Sequence, residues 1–185
     1  MRVVKTDIEG VLILEPHVLG DVRGYFMESF TERDFEALTG LKVHFVQDNE
    51  SLSKKGVLRG LHFQKEPYAQ AKLVRVVCGR VLDVAVDIRP QSSTFGKYVM
   101  TELSGENHRQ LFIPKGFAHG YAVLEDNTIF QYKCDQYYHP EADGGIAWND
   151  PYIGIDWGLE EGNIILSEKD RLNPVLSTVV HNLKS

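Results

Sequence analysis

The sequence predicts a single mainly-β domain of the sandwich, jelly-roll or small-barrel kind, with few helices. Three observations carry that expectation. Short apolar runs recur along the whole chain, turn signals separate them at regular spacing, and only one segment carries the punctuation of a helix. The 185 residues suit one domain with a sizeable buried core. No repeat, low-complexity stretch or linker divides them, so one domain is expected over residues 1–185.

Taken in order, Val11-Leu12-Ile13-Leu14 is the first apolar run. A helix follows: Thr31 is a good N-cap, Phe30 and Phe35 stand at the staple positions, and Gly40 closes it. Asp34 occupies the place where a capping box prefers Glu or Gln. In Arg59-Gly60-Leu61-His62-Phe63-Gln64, read as a strand, Leu61 and Phe63 face one way and Gly60, His62 and Gln64 the other. Lys72, Val74 and Val76 then share a face. Leu82, Val84, Val86 and Ile88 alternate with Asp83, Ala85 and Asp87, which predicts a half-buried strand. Leu111-Phe112-Ile113 and Tyr121-Ala122-Val123-Leu124 are further runs, and Thr128 to Cys134 alternates with Phe130, Tyr132 and Cys134 on one face. Turns are expected at Cys78-Gly79-Arg80, Arg89-Pro90, Ser104 to Asn107 and Glu125 to Asn127.

Composition excludes several classes. Hydrophobic residues at 43% and charged residues at 25% are ordinary for a globular protein. No apolar stretch approaches the roughly 20 residues that cross a bilayer. The segment Met1 to Asp7 lacks the apolar core of a signal peptide, so a cytoplasmic protein with no membrane partner is expected. Cys78 and Cys134 lie in apolar runs and read as buried, reduced cysteines. The net charge of −6 argues against nucleic acid as a partner. An anionic ligand would have to meet local Arg and Lys side chains against that overall field.

Two motifs carry chemistry. The 59–64 string and Pro114-Lys115-Gly116-Phe117-Ala118-His119 resemble the paired motifs of the cupin superfamily, whose fold is a jelly-roll β-barrel with a few short helices. A metal cupin places His-x-His in the first motif; here the string is His62-Phe63-Gln64. A metal centre needs about three converging protein ligands, and only His62 and His119 remain, so no metal is expected.

Eight strings, in order, make the resemblance specific. They are Asp21 to Phe26, Gln47-Asp48-Asn49, Val57 to Gln64, Gln70 to Val76, Asp83 to Arg89, Ile113 to Gly120, Trp148 to Pro151 and Leu166 to Asp170. Together they look like the dTDP-4-dehydrorhamnose 3,5-epimerase family over about residues 3–176. The resemblance implies a cofactor-free isomerase that inverts C3 and C5 of dTDP-4-dehydro-6-deoxy-D-glucose in dTDP-L-rhamnose synthesis. It implies that His62, paired with Asp170, removes the protons flanking the 4-keto group, that Tyr132 donates from the opposite side, and that Lys72 stabilises the enolate. Imidazole titrates near neutrality and a carboxylate fixes its tautomer, so the residue types suit the task. Arg23 and Arg59 would clamp the diphosphate, Tyr138 would stack on thymine, and Phe26, Glu28, Gln47, Asn49, His119 and Lys169 would line the site. Asp143 departs from the pattern, standing where the family usually has Glu.

The resemblance also implies a homodimer exchanging N-terminal strands. Alternatives are an epimerase acting at C3 or C5 alone, a silent sugar-binding cupin, and a metal-dependent cupin enzyme. Residues 179–185 match no motif.

Overall fold

The computed structural model describes residues 1–183, with side chains through residue 180. Its strands are β1 (Arg2–Lys5), β2 (Leu12–Glu15), β3 (Leu19–Asp21), β4 (Gly24–Phe26), β5 (Gln47–Ser53), β6 (Leu58–Gln64) and β7 (Lys72–Cys78). They continue as β8 (Arg80–Asp87), β9 (Tyr98–Ser104), β10 (Gln110–Ile113), β11 (Phe117–Val123), β12 (Thr128–Cys134) and β13 (Asp143–Gly145). The helices are α1 (Glu32–Thr39), α2 (Glu168–Arg171) and α3 (Leu176–Leu183). Antiparallel pairing builds a six-stranded sheet, β1-β2-β10-β7-β12-β5, and a five-stranded sheet, β13-β6-β11-β8-β9. β3 and β4 form a separate hairpin.

Three apolar layers hold these sheets. Between them, Val74, Val76, Leu111 and Phe130 of the six-stranded sheet meet Val81, Ala85, Phe117 and Tyr121 of the other. The outer face of the five-stranded sheet is covered by Ile146, Ile153, Trp157, Leu176 and Val179, so the C-terminal segment packs on Val84, Val86 and Leu61. On the outer face of the six-stranded sheet lies α1. Its start is as read: the Thr31 side chain accepts the Asp34 N–H, and Gly40 closes it at φ 72°. Phe30 and Phe35 stand 6.0 Å apart, and Phe35 is 1% exposed, 5.2 Å from Phe112. Truncating Phe35 to Ala would cost about 3–5 kcal/mol through lost burial and the cavity left behind.

Three expectations need correction. The two sheets do not close into one continuous barrel: among the described residues no ladder joins them. The large side chains between them, Phe117, Tyr121 and Phe130, keep the sheets at side-chain packing distance, beyond backbone hydrogen-bond reach. β8 is not half-buried, because both its faces are covered, and Asp83 and Asp87 are 0% exposed. Asp87 survives there by accepting from Arg89, Ser92 and Thr94. Of the two free cysteines, Cys134 is buried as read but Cys78 is exposed, because it ends β7 beside the turn at Gly79. The motif-free C-terminus begins as α3, which buries Leu176 and Val179; residues 184–185 lie outside the described residues.

Candidate active site

β6 carries the first wall of the site. Gly60 allows it, since a Cβ there would lie 2.5 Å from the Cα of Gly120 on β11. That close approach sets His62 opposite His119 in the ladder. His62 keeps 34% of its side chain exposed, and its Nε2 lies 2.5 Å from Asp170 Oδ1. Asp170 belongs to α2, where the Ser167 hydroxyl accepts its N–H at 3.1 Å, so a helix cap fixes the carboxylate. Burial acts to raise the Asp170 pKa, but the hydrogen bond and charge of His62, with further bonds from Ser167 and the Gly60 backbone, hold it below the usual value. An ionised Asp170 only accepts, so His62 donates through Nε2 and leaves Nδ1 as the basic nitrogen.

The second wall comes from the other sheet. Tyr132 lies in β12 and Lys72 begins β7, with Lys72 Nζ 5.9 Å from the Tyr132 ring centroid. Burial pushes the Tyr132 phenol up to about 12, so at neutral pH it is a proton donor. Burial pulls the Lys72 ammonium down, opposed by the charges of Asp83 and Asp143. The Cys134 thiol beside it is pushed up to about 11, which keeps it protonated and inert. His62, Lys72 and Tyr132 line one cavity of about 170 Å³. That is below the roughly 300–1,000 Å³ of pockets that enclose a whole drug-sized ligand.

The same cavity is bordered by Gln47, Asn49, Tyr138, Asp143 and Lys169. Gln47 donates to Asn49 at 3.0 Å. Asp143 is opposite Gln64 in the ladder and accepts from the Tyr138 hydroxyl at 3.1 Å while pairing with Lys169. The shorter carboxylate therefore has two protein partners. His119 is buried, with Nε2 3.0 and 3.1 Å from the Asp83 carboxylate. Arg59 is exposed one strand-turn from His62 and reaches only Ser53, at 3.3 and 3.4 Å; among the described residues no acid pairs with it.

Arg59, His119 and Asp170 are not among the residues that line this cavity, and three further expected residues lie at other hollows of the chain. Arg23 and Phe26 lie on the exposed β3–β4 hairpin and line a different hollow, and the Arg23 guanidinium is engaged by Asp21. Glu28 lines a third cavity with His17 and Met27. Sequence reasoning also missed residues that matter here: Asp83, Gln70, Cys134 and the role of Gln64. For Asp83 a signal existed, a carboxylate inside a strongly apolar alternation.

The family model described as dTDP-4-dehydrorhamnose 3,5-epimerase matches residues 5–178. A curated relative, the dTDP-4-dehydrorhamnose 3,5-epimerase of Escherichia coli K12, is 61% identical over 170 residues, covering 92% of this chain and 91% of that protein. Among solved structures, a dTDP-6-deoxy-D-glucose-3,5-epimerase of Legionella pneumophila in complex with dTDP-4-keto-L-rhamnose is 50% identical. It superposes with a TM-score of 0.95 over 98% of this chain and 96% of that one. A 3′-monoepimerase of Streptomyces bikiniensis in complex with dTDP-quinovose is more distant, 31% identical with a TM-score of 0.90 over 99% of this chain and 91% of that one. With the family model spanning nearly its whole length, this chain belongs to the dTDP-4-dehydrorhamnose 3,5-epimerase family.

Proposed function

We propose that this chain epimerises C3 and C5 of dTDP-4-dehydro-6-deoxy-D-glucose to give dTDP-4-dehydro-L-rhamnose, through a His62 base and a Tyr132 acid. One observation carries the reading: His62, held by Asp170 of α2, stands on one sheet, Tyr132 and Lys72 stand on the other, and all three line a single cavity.

The chemistry follows from that arrangement. Hydrogens beside a 4-keto group are acidic because the carbanion delocalises onto the carbonyl oxygen. His62 Nδ1 takes such a proton, and Asp170 stabilises the imidazolium. The enolate oxygen forms beside the Lys72 ammonium, the positive charge that a low-dielectric pocket makes effective. Tyr132 returns a proton to the other face of the carbon, which inverts it. Repeating the cycle at the second carbon, after exchange with solvent restores His62 and Tyr132, gives the double epimer. The reaction draws on no cofactor.

The cavity's volume fits the reacting sugar rather than the whole nucleotide, so the nucleotide lies at the mouth. Tyr138, a lining residue 52% exposed, offers a face to the base there, and Arg59, exposed three residues before His62 on β6, has a guanidinium available for the diphosphate. Gln47, Asn49, Asp143 and Lys169 complete the lining, and His119 stands behind it, paired with Asp83.

Arg23, Phe26 and Glu28 would reach a cavity of the His62–Tyr132 kind by serving that of a second subunit. The exposed Leu19, Val22, Tyr25 and Phe26 of the hairpin support a homodimer formed by exchange of N-terminal strands. Two free cysteines support a reducing, cytoplasmic setting; among the described residues no helix is long and apolar enough to cross a membrane.

Incubation with the 4-keto substrate in deuterated water, followed by NMR, tests the reading. Deuterium should enter at both C3 and C5. Entry at one carbon only would make this an epimerase of single position in a related dTDP-deoxysugar route, and entry at neither would make it a binding protein. Elemental analysis of the active protein should find no stoichiometric transition metal.

A further inference from the structure

We infer that Gln64, at the place where a metal cupin carries a ligand histidine, is a positioning residue that fixes the segment bearing Tyr138 for nucleotide recognition. The inference rests on the reading of Tyr138 as the base platform.

The segment Gln136–His139 follows β12 and belongs to no strand, so its backbone polar groups need partners from elsewhere. Three glutamines supply them. The Gln136 carbonyl accepts from Gln70 Nε2 at 2.7 Å, and the Tyr138 N–H donates to Gln47 Oε1 at 3.1 Å. Gln64 does most. Its Nε2 donates to the Tyr137 carbonyl at 3.1 Å and to the Tyr68 carbonyl at 2.9 Å, while its Oε1 accepts the His139 N–H at 2.6 Å. Both donor hydrogens and one acceptor site are thereby used, and the side chain is 7% exposed. Gln64 is a wall residue whose bonding is spent on backbone, and it leaves little for a ligand to touch.

The three glutamines sit at the start of β5, at the end of β6 and in the connection before β7, so the segment is tied to both sheets. At its far end the His139 ring stacks on Tyr68, with centroids 3.6 Å apart. Tyr138 itself is half exposed, and its hydroxyl donates to Asp143. Its orientation is therefore set chiefly by the backbone that the glutamines hold. A platform ordered before the ligand arrives spares the entropy of ordering it on binding. Only a primary amide fits at Gln64: a carboxylate would set an acceptor oxygen against two carbonyls, and an apolar side chain would orphan three backbone groups.

The test is dTDP binding to the full chain by isothermal titration calorimetry, with steady-state kinetics alongside. Gln64→Leu should weaken dTDP by about tenfold, the scale of removing a buried amide's bonds, with KM rising more than kcat falls. Tyr138→Ala should weaken dTDP on its own, and adding Gln64→Leu to it should weaken binding no further, because the glutamine acts through the ring. Gln64→Glu should regain affinity relative to the parent as pH is lowered, since a protonated carboxyl recovers one donor. Gln70→Leu, which removes a single bond, should act in the same direction and more weakly, and stands in if Gln64→Leu does not fold. Unchanged affinity in both leucine variants, or additive losses in the double variant, would overturn the positioning role. Unchanged affinity in Tyr138→Ala would overturn the base-platform reading, and this inference with it.

Discussion

Replacing Asp170 by Asn changes one atom at the heart of the proposed base and gives a graded, checkable loss. Asp170 is 3% exposed and its Oδ1 lies 2.5 Å from His62 Nε2, so the charge faces the imidazole with little solvent between. Its pKa is held below the usual carboxylate value, so the parent is ionised across the neutral range and assay pH does not blur the comparison. Two outcomes bracket the effect. If the amide oxygen keeps the bond to Nε2–H, the tautomer survives and only charge assistance is lost. That is about 1.5–3 kcal/mol, or roughly 10–200-fold in kcat/KM. If the amide NH2 turns towards the ring, Nε2 must accept, the proton moves to Nδ1, and the base is gone; a comparable tautomer error in a serine protease costs about 10⁴-fold. The assay is the rate of deuterium entry at C3 and C5, followed by NMR, with a thermal melt to verify folding. A folded Asp170→Asn protein within threefold of the parent would refute the dyad.

The remaining expectations are independent of that one. Tyr132→Phe should lower product formation by about 10²–10⁴-fold, the usual worth of a general acid, while deuterium exchange into recovered substrate persists; equal loss of both would remove Tyr132 from the acid's role. Arg59→Ala should weaken dTDP by about 10–200-fold, the loss of a charge-assisted phosphate contact, and leave the melting temperature nearly unchanged because its bonds to Ser53 are long. Calorimetric affinity equal to the parent's would take it out of the clamp. Burial raises the pKa of Asp87, but bonds from Arg89, Ser92 and Thr94 bring it down to about 2 from 3.8. A depressed carboxylate stabilises the fold above its unfolded pKa and loses that contribution as pH falls through its folded pKa. Asp87→Asn should therefore cost about 2 kcal/mol at pH 7, with the gap to the parent closing between about pH 4 and pH 2. Denaturant melts showing a constant gap over that range would contradict the ionic account.

What was legible in the sequence is what local chemistry decides. Thr31, Phe30, Phe35 and Gly40 announce α1 because a cap and a staple are made within a few residues. The alternations at 82–88 and 128–134 announce strands for the same reason. How many faces of a strand are covered is a different matter. Asp83 and Asp87 read as the wet side of β8, and they are dry because residues 146–179 return to cover one face while the six-stranded sheet covers the other. The glutamine bonds are equally remote: Gln64 meets Tyr137 from 73 positions away, and Gln70 meets Gln136 from 66. No periodicity encodes such partners. The proposed reactive residues were assigned through ordered strings shared with a family, and Arg23 and Phe26 of the hairpin, with Glu28 beyond it, stay apart from them in one chain.

The two histidine–aspartate pairs make the limit concrete. His62–Asp170 and His119–Asp83 use the same residue types, and both histidines fall in motif strings on neighbouring strands. Residue types alone do not separate them; the family strings assigned the base to His62 with Asp170 and gave His119 only a lining role. Structure separates them by access. The side chains of His119 and Asp83 are 7% and 0% exposed, and the His119 ring lies 6.1 Å from both Phe130 and Tyr121, wedged into the layer between the sheets. His62 keeps 34% of its side chain open while its aspartate is covered at 4%. A base needs one nitrogen held and the other free to meet a proton, and of the two pairs only His62–Asp170 offers that division. His119–Asp83 is placed to stiffen the wall behind it, so one pairing of residue types serves as structure on β11 and is proposed to serve as chemistry on β6.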